Sequence, residues 1–166
     1  MVGTSKPPGK LEILMIRRAT ADDSPTLTSI AHDAKRYWGY PEHWIKHWQD
    51  ELTISDDFVN ANEVYVAAND DEVRGFYALI VRDDKAELEH LWVAPKHIGT
   101  GVGKELFLHA MQRASACDVS EVQINSDPNA EGFYQKMGAY RIGEVRADMD
   151  DKPRTLPRMA VRPKKP

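Results

Sequence analysis

The stretch Leu91-Trp-Val-Ala-Pro-Lys-His-Ile-Gly-Thr-Gly-Val-Gly-Lys-Glu-Leu106 contains the strongest signal in the chain. A strand-like segment ends at Val93, a proline follows it, and three alternating glycines lead into a helical pattern. Such a turn exposes successive backbone N–H groups at the start of a helix, where they and the helix dipole favour a phosphate group. The sequence therefore predicts a phosphate-binding turn between a strand and a helix.

Two common phosphate-binding motifs fit this turn poorly. A P-loop requires Gly-x-x-x-x-Gly-Lys-Ser/Thr, but Ile98 stands at its first glycine and Glu105 at its hydroxyl position. The dinucleotide fingerprint requires a third glycine where this chain has Lys104. The sequence therefore favours a phosphate-containing ligand that neither of these two motifs binds. The alternative is a structural turn without a ligand.

The segments around this turn alternate between helix and strand patterns. In chain order we expect a strand beginning at 13–16, helices at 24–37 and from Pro41 to Leu52, strands at 64–68, 73–82 and 85–93, a helix at 101–116, a strand at 121–124, a helix from 127 to 138, and strands at 139–149 and 156–161. This order indicates an α/β fold with a mixed, mostly antiparallel central sheet flanked by about four helices.

Length and composition restrict the classes of protein further. The chain has 166 residues, 42% of them hydrophobic, and a net charge of −4, so we expect one domain at 13–162, a flexible extension at 1–12 and a tail at 163–166. A single cysteine, Cys117, excludes a disulfide scaffold. No apolar run reaches the roughly 18 residues of a membrane span, and no signal peptide is evident, so we expect a cytoplasmic protein without a membrane partner. The acidic balance argues against nucleic acid as a partner.

The glycine turn also resembles a family signature. Val93-Ala-Pro95 followed by Ile98-Gly-Thr-Gly-Val-Gly103 is similar to the Val-x-Pro and Arg/Gln-x-x-Gly-x-Gly/Ala motif of the GNAT superfamily of N-acetyltransferases. The resemblance implies that the turn holds the diphosphate of acetyl-CoA, the cosubstrate. The positions implied are Ile98, Gly99, Thr100, Gly101, Val102, Gly103 and Lys104. Ile98 replaces the usual Arg or Gln, so one side-chain contact would be lost while the backbone contacts remain.

A second stretch, Asn125 to Tyr140, resembles the GNAT element that holds the pantetheine arm. It is similar to Asn-x-x-Ala-x-x-Phe-Tyr-x-Lys-x-Gly-Phe, and the matching positions are Ala130, Phe133, Tyr134, Lys136 and Gly138. Phe133 and Asn129 are implied as pantetheine contacts; we favour Asn129 over Asp127, which is expected to cap the following helix. Tyr134 is the candidate general acid for the departing thiolate, and a purely packed core tyrosine is the alternative.

The strand before the turn carries two candidate bases, Glu87 and Glu89. Strand alternation places both with Leu91 and Val93 on one face, opposite Ala86, Leu88, His90 and Trp92. Buried unpaired carboxylates are costly, so a pair of acids in such a strand indicates chemistry more than packing, although a solvated acidic strand end is the alternative. Which glutamate is the base stays open. By resemblance, backbone N–H groups around Leu91, Trp92 and Val93 hold the acetyl carbonyl for direct transfer.

Aromatic residues near the end of the first helix are the candidate acceptor wall. They are Tyr37, Trp38, Tyr40 and Trp44, and helical packing into the core is the alternative for them. His43 and His47 lie four residues apart but lack the glutamate and third ligand of a zinc motif, so no metal site is predicted.

These features together predict an acetyl-CoA-dependent N-acetyltransferase that modifies a primary amine of a small molecule. The alternatives are a protein or peptide N-acetyltransferase and a non-catalytic acyl-CoA-binding module. The acceptor, the acyl-chain preference and the oligomeric state, including a homodimer, stay open.

Overall fold

The computed structural model describes residues 14–165, so the extension predicted at 1–12 and the terminal Pro166 lie outside the described residues. Residues 14–165 form one seven-stranded sheet and six α-helices. The strands are β1 Met15–Arg18, β2 Glu63–Asn69, β3 Glu72–Arg82, β4 Lys85–Val93, β5 Glu121–Asn125, β6 Tyr140–Arg146 and β7 Thr155–Val161. The helices are α1 Ser24–Tyr37, α2 Glu42–His47, α3 Gln49–Leu52, α4 Asp56–Ala61, α5 Val102–Ala116 and α6 Glu131–Lys136.

The sheet order is β1-β2-β3-β4-β5-β7-β6, and every neighbouring pair is antiparallel except β4 and β5. This confirms the predicted mixed, mostly antiparallel sheet. Two short acidic turns connect β2 to β3 and β3 to β4. Asp70 and Asp83 adopt positive φ angles of 52° and 56° there, a conformation that aspartate tolerates better than most residues.

The helices differ from expectation between residues 41 and 61. The predicted helix ending at Leu52 is interrupted at Trp48, which ends α2 and begins α3. The spacing of Ile45, Trp48 and Leu52 survives because all three side chains stay buried in one core. Helix α4 was not predicted; it is only six residues long, and its clearest sequence signal is Ser55, whose hydroxyl accepts a hydrogen bond from the Phe58 N–H.

Two hydrophobic cores cover the two faces of the sheet. On one face α5 packs its apolar stripe, including Leu106 and Phe107, against Tyr77 and Leu79 of β3. On the other face α1 to α4 pack against side chains that include Val64, Val66 and Phe76. Within residues 14–165, no helix combines the length and hydrophobicity that a membrane span requires.

A bulge in β4 changes which residues share a face. Ala78 pairs with His90 but Leu79 pairs with Leu88, so Glu89 is the extra residue between two ladder positions. Leu88 consequently packs in the α5 core, whereas the His90 ring contacts Phe58 and Phe76 on the opposite side. The predicted uninterrupted alternation from Ala86 to Val93 is therefore wrong, because a bulge shifts the alternation and leaves no clear mark in the sequence.

Candidate active site

A cavity opens where two parallel strands separate. Strands β4 and β5 pair only through residues 85–87 and 121–123 and then diverge. The space beyond this pairing has a volume of about 450 Å³. Its lining includes Leu88, Glu89, Leu91, Trp92 and Val93 of β4, Ile98, Gly99, Gly101, Gly103 and Lys104 of the glycine turn, and Asn125, Asp127, Asn129, Phe133 and Tyr134 from β5 to α6. Most of the residues predicted to contact acetyl-CoA thus surround one cavity.

The glycine turn presents backbone N–H groups toward this space. Gly99 and Gly101 adopt φ angles of 83° and 91°, which residues with a Cβ atom rarely adopt. Gly101 precedes α5, whose first helical hydrogen bond joins the Glu105 N–H to the Gly101 carbonyl at 3.1 Å. The N–H groups of Val102, Gly103 and Lys104 therefore lie ahead of the helical ladder. This arrangement suits a phosphate group.

The backbone of β4 adds two further donors. The Ala94 N–H bonds the Arg74 carbonyl of the neighbouring strand at 2.8 Å. Since antiparallel partners alternate between bonded and non-bonded pairs, the positions Leu91 and Val93 direct their N–H groups away from β3. These two groups point to the side on which β5 has diverged, where a ligand could accept their hydrogen bonds.

Tyr134 supplies a phenol in the wall of the cavity. Its ring is buried between Phe107 and Phe133, with ring centroids 6.1 and 5.3 Å away. Among residues 14–165 no group bonds its hydroxyl, yet that oxygen is not enclosed by protein atoms. Burial, together with the Asp127 carboxylate, raises the pKa of Tyr134. The hydroxyl therefore keeps its proton at neutral pH, and because no described residue bonds it, it can donate a hydrogen bond to a ligand in the cavity.

The two candidate bases differ in their surroundings. Both carboxylate oxygens of Glu87 accept hydrogen bonds from Arg158, at 2.5 and 2.9 Å. Glu89 lines the cavity, and no hydrogen bond or ion pair joins it to another described residue. Glu89 is an exposed residue, but partial desolvation of its carboxylate raises its pKa, and the Glu87 charge raises it further. Glu89 is thus the carboxylate that is free to take up a proton.

Sequence reasoning missed a second network beside the cavity. The Lys35 ammonium of α1 forms a buried ion pair with Asp127 at 2.8 Å and lies over the rings of Tyr40, Trp48 and Trp92. Burial lowers the pKa of Lys35, whereas Lys35 and its other partners lower the pKa of Asp127 despite burial. The available signal was a lysine four residues after Ala31, on the buried stripe of α1.

The four residues predicted to form the acceptor wall do not all line the cavity. Trp38 lines the cavity, while the side chain of Tyr37 is 53% exposed. Tyr40 and Trp44 do not line it; they stack on each other and pack against Trp48. The Tyr40 hydroxyl reaches the cavity wall indirectly, because it donates to the Asp127 carboxylate at 3.0 Å.

Asp127 and Asn129 are joined in the way that the capping argument expects. The Asp127 carboxylate accepts a hydrogen bond from the Asn129 N–H at 2.8 Å. The Asn129 side-chain amide also donates to Asp127 and to the Tyr40 hydroxyl, at 3.0 and 3.2 Å. Its carbonyl oxygen makes no hydrogen bond within the described part of the chain, so this atom is the one that can accept a pantetheine N–H.

Comparison with known proteins identifies the class. The family described as "Acetyltransferase (GNAT) domain" matches residues 27–149. The chain is 24% identical to the 5-NmdU N-acetyltransferase of Pseudomonas phage PaMx11, over 80% of this chain and 91% of that protein. It is 28% identical to the peptidyl-lysine N-acetyltransferase YiaC of Escherichia coli, over 77% and 84% of the two chains.

Solved structures share the fold. The GCN5-related N-acetyltransferase of Rhodopseudomonas palustris superposes with a TM-score of 0.76 at 17% identity, covering 90% of this chain and 95% of that one. The PaiA N-acetyltransferase of Thermoplasma acidophilum, solved in complex with coenzyme A, gives 0.71 at 22% identity over 90% and 99%. The chain belongs to the GNAT acetyltransferase family. It is an N-acetyltransferase, and acetyl-CoA is the acetyl donor that this family uses.

Proposed function

We propose that this protein transfers an acetyl group directly from acetyl-CoA to a primary amine of a small molecule. The observation that carries the proposal is that Glu89 and Tyr134 line the same cavity, and that neither side chain is bonded to another described residue. One can accept the proton that an attacking amine loses, and the other can donate a proton to the departing thiolate.

On the donor side, backbone groups do most of the binding. The N–H groups of the glycine turn and of the first turn of α5 donate hydrogen bonds to the diphosphate, and the Asn129 side-chain carbonyl accepts one from a pantetheine N–H. Leu91 and Val93 donate their N–H groups to the pantetheine arm and to the acetyl carbonyl. Donors fixed in a strand stabilise the negative charge that develops on that carbonyl oxygen without having to reorient.

The proton transfers are assigned to two side chains. Glu89 takes a proton from the amine as the C–N bond forms, because its carboxylate is unbonded and its pKa is raised. Tyr134 donates its proton to the sulfur as the C–S bond breaks. Glu87 is given a positioning role instead, because the Arg158 guanidinium occupies both of its oxygens. No acyl-enzyme is required.

A small acceptor is favoured by the loop between β6 and β7. Its Asp150 carboxylate accepts hydrogen bonds from the Trp44 indole and from the His43 ring, at 2.5 and 3.0 Å. Met149 of the same loop is buried in the core on the α1 side. These contacts fasten the loop against α2, and we propose that this ordered loop favours a compact amine over an extended peptide as the acceptor.

The test is CoA release from acetyl-CoA, measured against a panel of polyamines, amino acids, aminoglycosides and lysine peptides. We expect turnover with one or more of the small amines and weak turnover with the peptides. With the best acceptor, Tyr134→Phe and Glu89→Gln should each lower kcat about 100-fold, the usual scale for losing a general acid or base. The activity of the Glu89→Gln enzyme should recover partly at high pH, where free amine is abundant.

Glu87→Gln is the matched control for the base. It should retain turnover at neutral pH while the acidic limb of its pH profile moves to lower pH, since removing the Glu87 charge lowers the pKa of Glu89. The proposed roles would be wrong if Tyr134→Phe and Glu89→Gln turned over like the unmodified enzyme. Preferential acetylation of the peptides would replace the small-molecule acceptor with a protein.

A further inference from the structure

Arg154 has a guanidinium that no carboxylate of the described residues bonds. It is the last residue of the loop between β6 and β7, and it is half-buried. Its guanidinium carbon lies 5.4, 5.9 and 5.2 Å from the ring centroids of Tyr40, Trp44 and Trp48. Within residues 14–165, its one side-chain hydrogen bond runs from Nη2 to the Tyr40 hydroxyl at 3.2 Å. A guanidinium has five N–H donors, so most of them remain available.

The ion pairs near Arg154 are formed by other residues. Lys35 holds Asp127, and Arg158 holds Glu87. The acids of the loop bond elsewhere: the Asp148 side chain accepts from Arg146 and from the Arg154 backbone N–H, and Asp150 accepts from Trp44 and His43. Lys35 and Arg154 are two positive charges near one buried negative charge, Asp127, and the exposed Glu51 carboxylate also acts on Lys35. The Arg154 guanidinium itself bonds no carboxylate among the described residues.

The Arg154 guanidinium lies beside the cavity. The Tyr40 hydroxyl accepts a hydrogen bond from Arg154 and donates one to Asp127, which lines the cavity. Arg154 is therefore one bridging hydroxyl away from the cavity wall, on the side of the aromatic cluster and not of the glycine turn. A planar guanidinium stacked on aromatic rings is pre-organised for an oxyanion.

We propose that Arg154 binds an anionic oxygen group of the acceptor, so the acceptor is an amine that also carries a carboxylate or a phosphate. This inference rests on the proposed function, because it specifies the substrate class of the same site. The amine end would lie at Glu89, where a carboxylate is free, and the anionic end at the free N–H groups of Arg154. The two ends of the acceptor would then meet opposite charges in the protein.

The test uses acceptor pairs that differ in the anionic group, compared at equal concentrations of unprotonated amine: amino acids against their amides, and phosphoethanolamine against ethanolamine. Steady-state kinetics with the full chain should give a kcat/KM that is about tenfold or more higher for the anionic members. Arg154→Gln should abolish this preference by raising the KM for the anionic amine, with little change in kcat, and Arg154→Lys should restore part of it. Lys152→Gln removes the same charge from an exposed site on the same loop and should keep the preference.

Each outcome bears on the inference separately from the proposed function. Neutral and anionic amines acetylated equally well, with Arg154→Gln silent, would overturn the inference and leave small-amine acetylation intact. A rise in the KM for acetyl-CoA, instead of the KM for the acceptor, would assign Arg154 to the cosubstrate phosphates and also overturn it. If no amine of either kind were acetylated, the inference would fall together with the proposed function.

Discussion

The proposed donor side of the cavity is built mainly from backbone groups, whereas the proposed acceptor side is built from side chains. On the donor side, the N–H groups of the glycine turn and of β4 face the space, and Gly99 and Gly101 have no Cβ atom. On the acceptor side, a network of charged and aromatic side chains is held together by Lys35, Asp127 and Tyr40. A backbone site suits a cosubstrate that never changes, whereas side chains can be replaced one at a time. Two relatives at similar identity are accordingly named for different acceptors.

The largest loss of stability is expected from a substitution of Asp127, the buried carboxylate that holds the acceptor side together. Asp127→Asn removes the partner of Lys35, whose side chain is only 12% exposed. Removing one member of a buried ion pair costs about 3 kcal/mol or more, because the other charge stays desolvated. We expect a loss of that size in the free energy of unfolding, measured by urea denaturation at neutral pH.

Two further measurements sharpen this expectation. Asp33→Asn removes a surface acid of α1 that pairs with Arg36 and whose side chain is 54% exposed. This substitution should lower the free energy of unfolding by less than about 1 kcal/mol. The folded protein also holds the pKa of Asp127 below its unfolded value. Its stabilising contribution is therefore complete above the unfolded pKa and is lost as the pH falls through the folded pKa. If Asp127→Asn were as mild as Asp33→Asn, the network would not hold the acceptor side together.

The next effect concerns the backbone of the donor side. Gly101→Ala places a Cβ atom where nothing lies within 4 Å, but at a φ angle of 91°. A left-handed conformation costs a residue with a side chain about 1–2 kcal/mol. Either the enzyme loses that stability, or the turn relaxes and the KM for acetyl-CoA rises. Calorimetry and kinetics on the same sample measure both terms, and an unchanged Tm with an unchanged KM would show that the turn does not need its left-handed glycine.

A smaller effect is expected from adding a side-chain contact on the donor side. Ile98→Arg restores the residue type that the GNAT motif usually has at this position, on the wall of the cavity. A single exposed cation near a phosphate is worth about 1 kcal/mol, so we expect the KM for acetyl-CoA to fall about fivefold, without change in the KM for the acceptor. A fall of several hundredfold would mean that side chains, and not the backbone, dominate binding on the donor side.

The residues of the donor side were easier to predict from the sequence than those of the acceptor side. Gly99, Gly101 and Asp127 were interpretable because a positive φ angle and a helix cap each have a residue signature. The class of fold followed from the order of periodic segments, which the sheet β1-β2-β3-β4-β5-β7-β6 confirms. Both inferences depend on local rules that connect residue type to backbone conformation.

The rest depended on contacts between residues distant in the chain. Lys35 meets Asp127 across 92 positions, and Arg154 meets Tyr40 across 114. The bulge at Glu89 is likewise decided by pairing with β3, so alternation alone placed His90 and Leu88 on the wrong common face. Glu87 and Glu89 are equivalent candidates for the base in the sequence. Their roles differ only because Arg158, distant in the chain, bonds Glu87.

The smallest effect comes from a second glycine of the same turn, Gly103. A Cβ atom there would lie 3.6 Å from the Phe133 ring and from Val93, an ordinary contact distance, and its φ angle lies outside the left-handed region. Gly103→Ala should therefore raise the free energy of unfolding by about 0.5 kcal/mol, because alanine favours the helical conformation. Denaturation curves and the KM for acetyl-CoA are measured for both Gly103→Ala and Gly101→Ala. The comparison distinguishes the effect of a strained backbone from the effect of the volume of an added Cβ atom. If Gly103→Ala weakened acetyl-CoA binding as much as Gly101→Ala, the missing Cβ at 103 would be making room for the ligand, and the donor side would depend on side-chain volume after all.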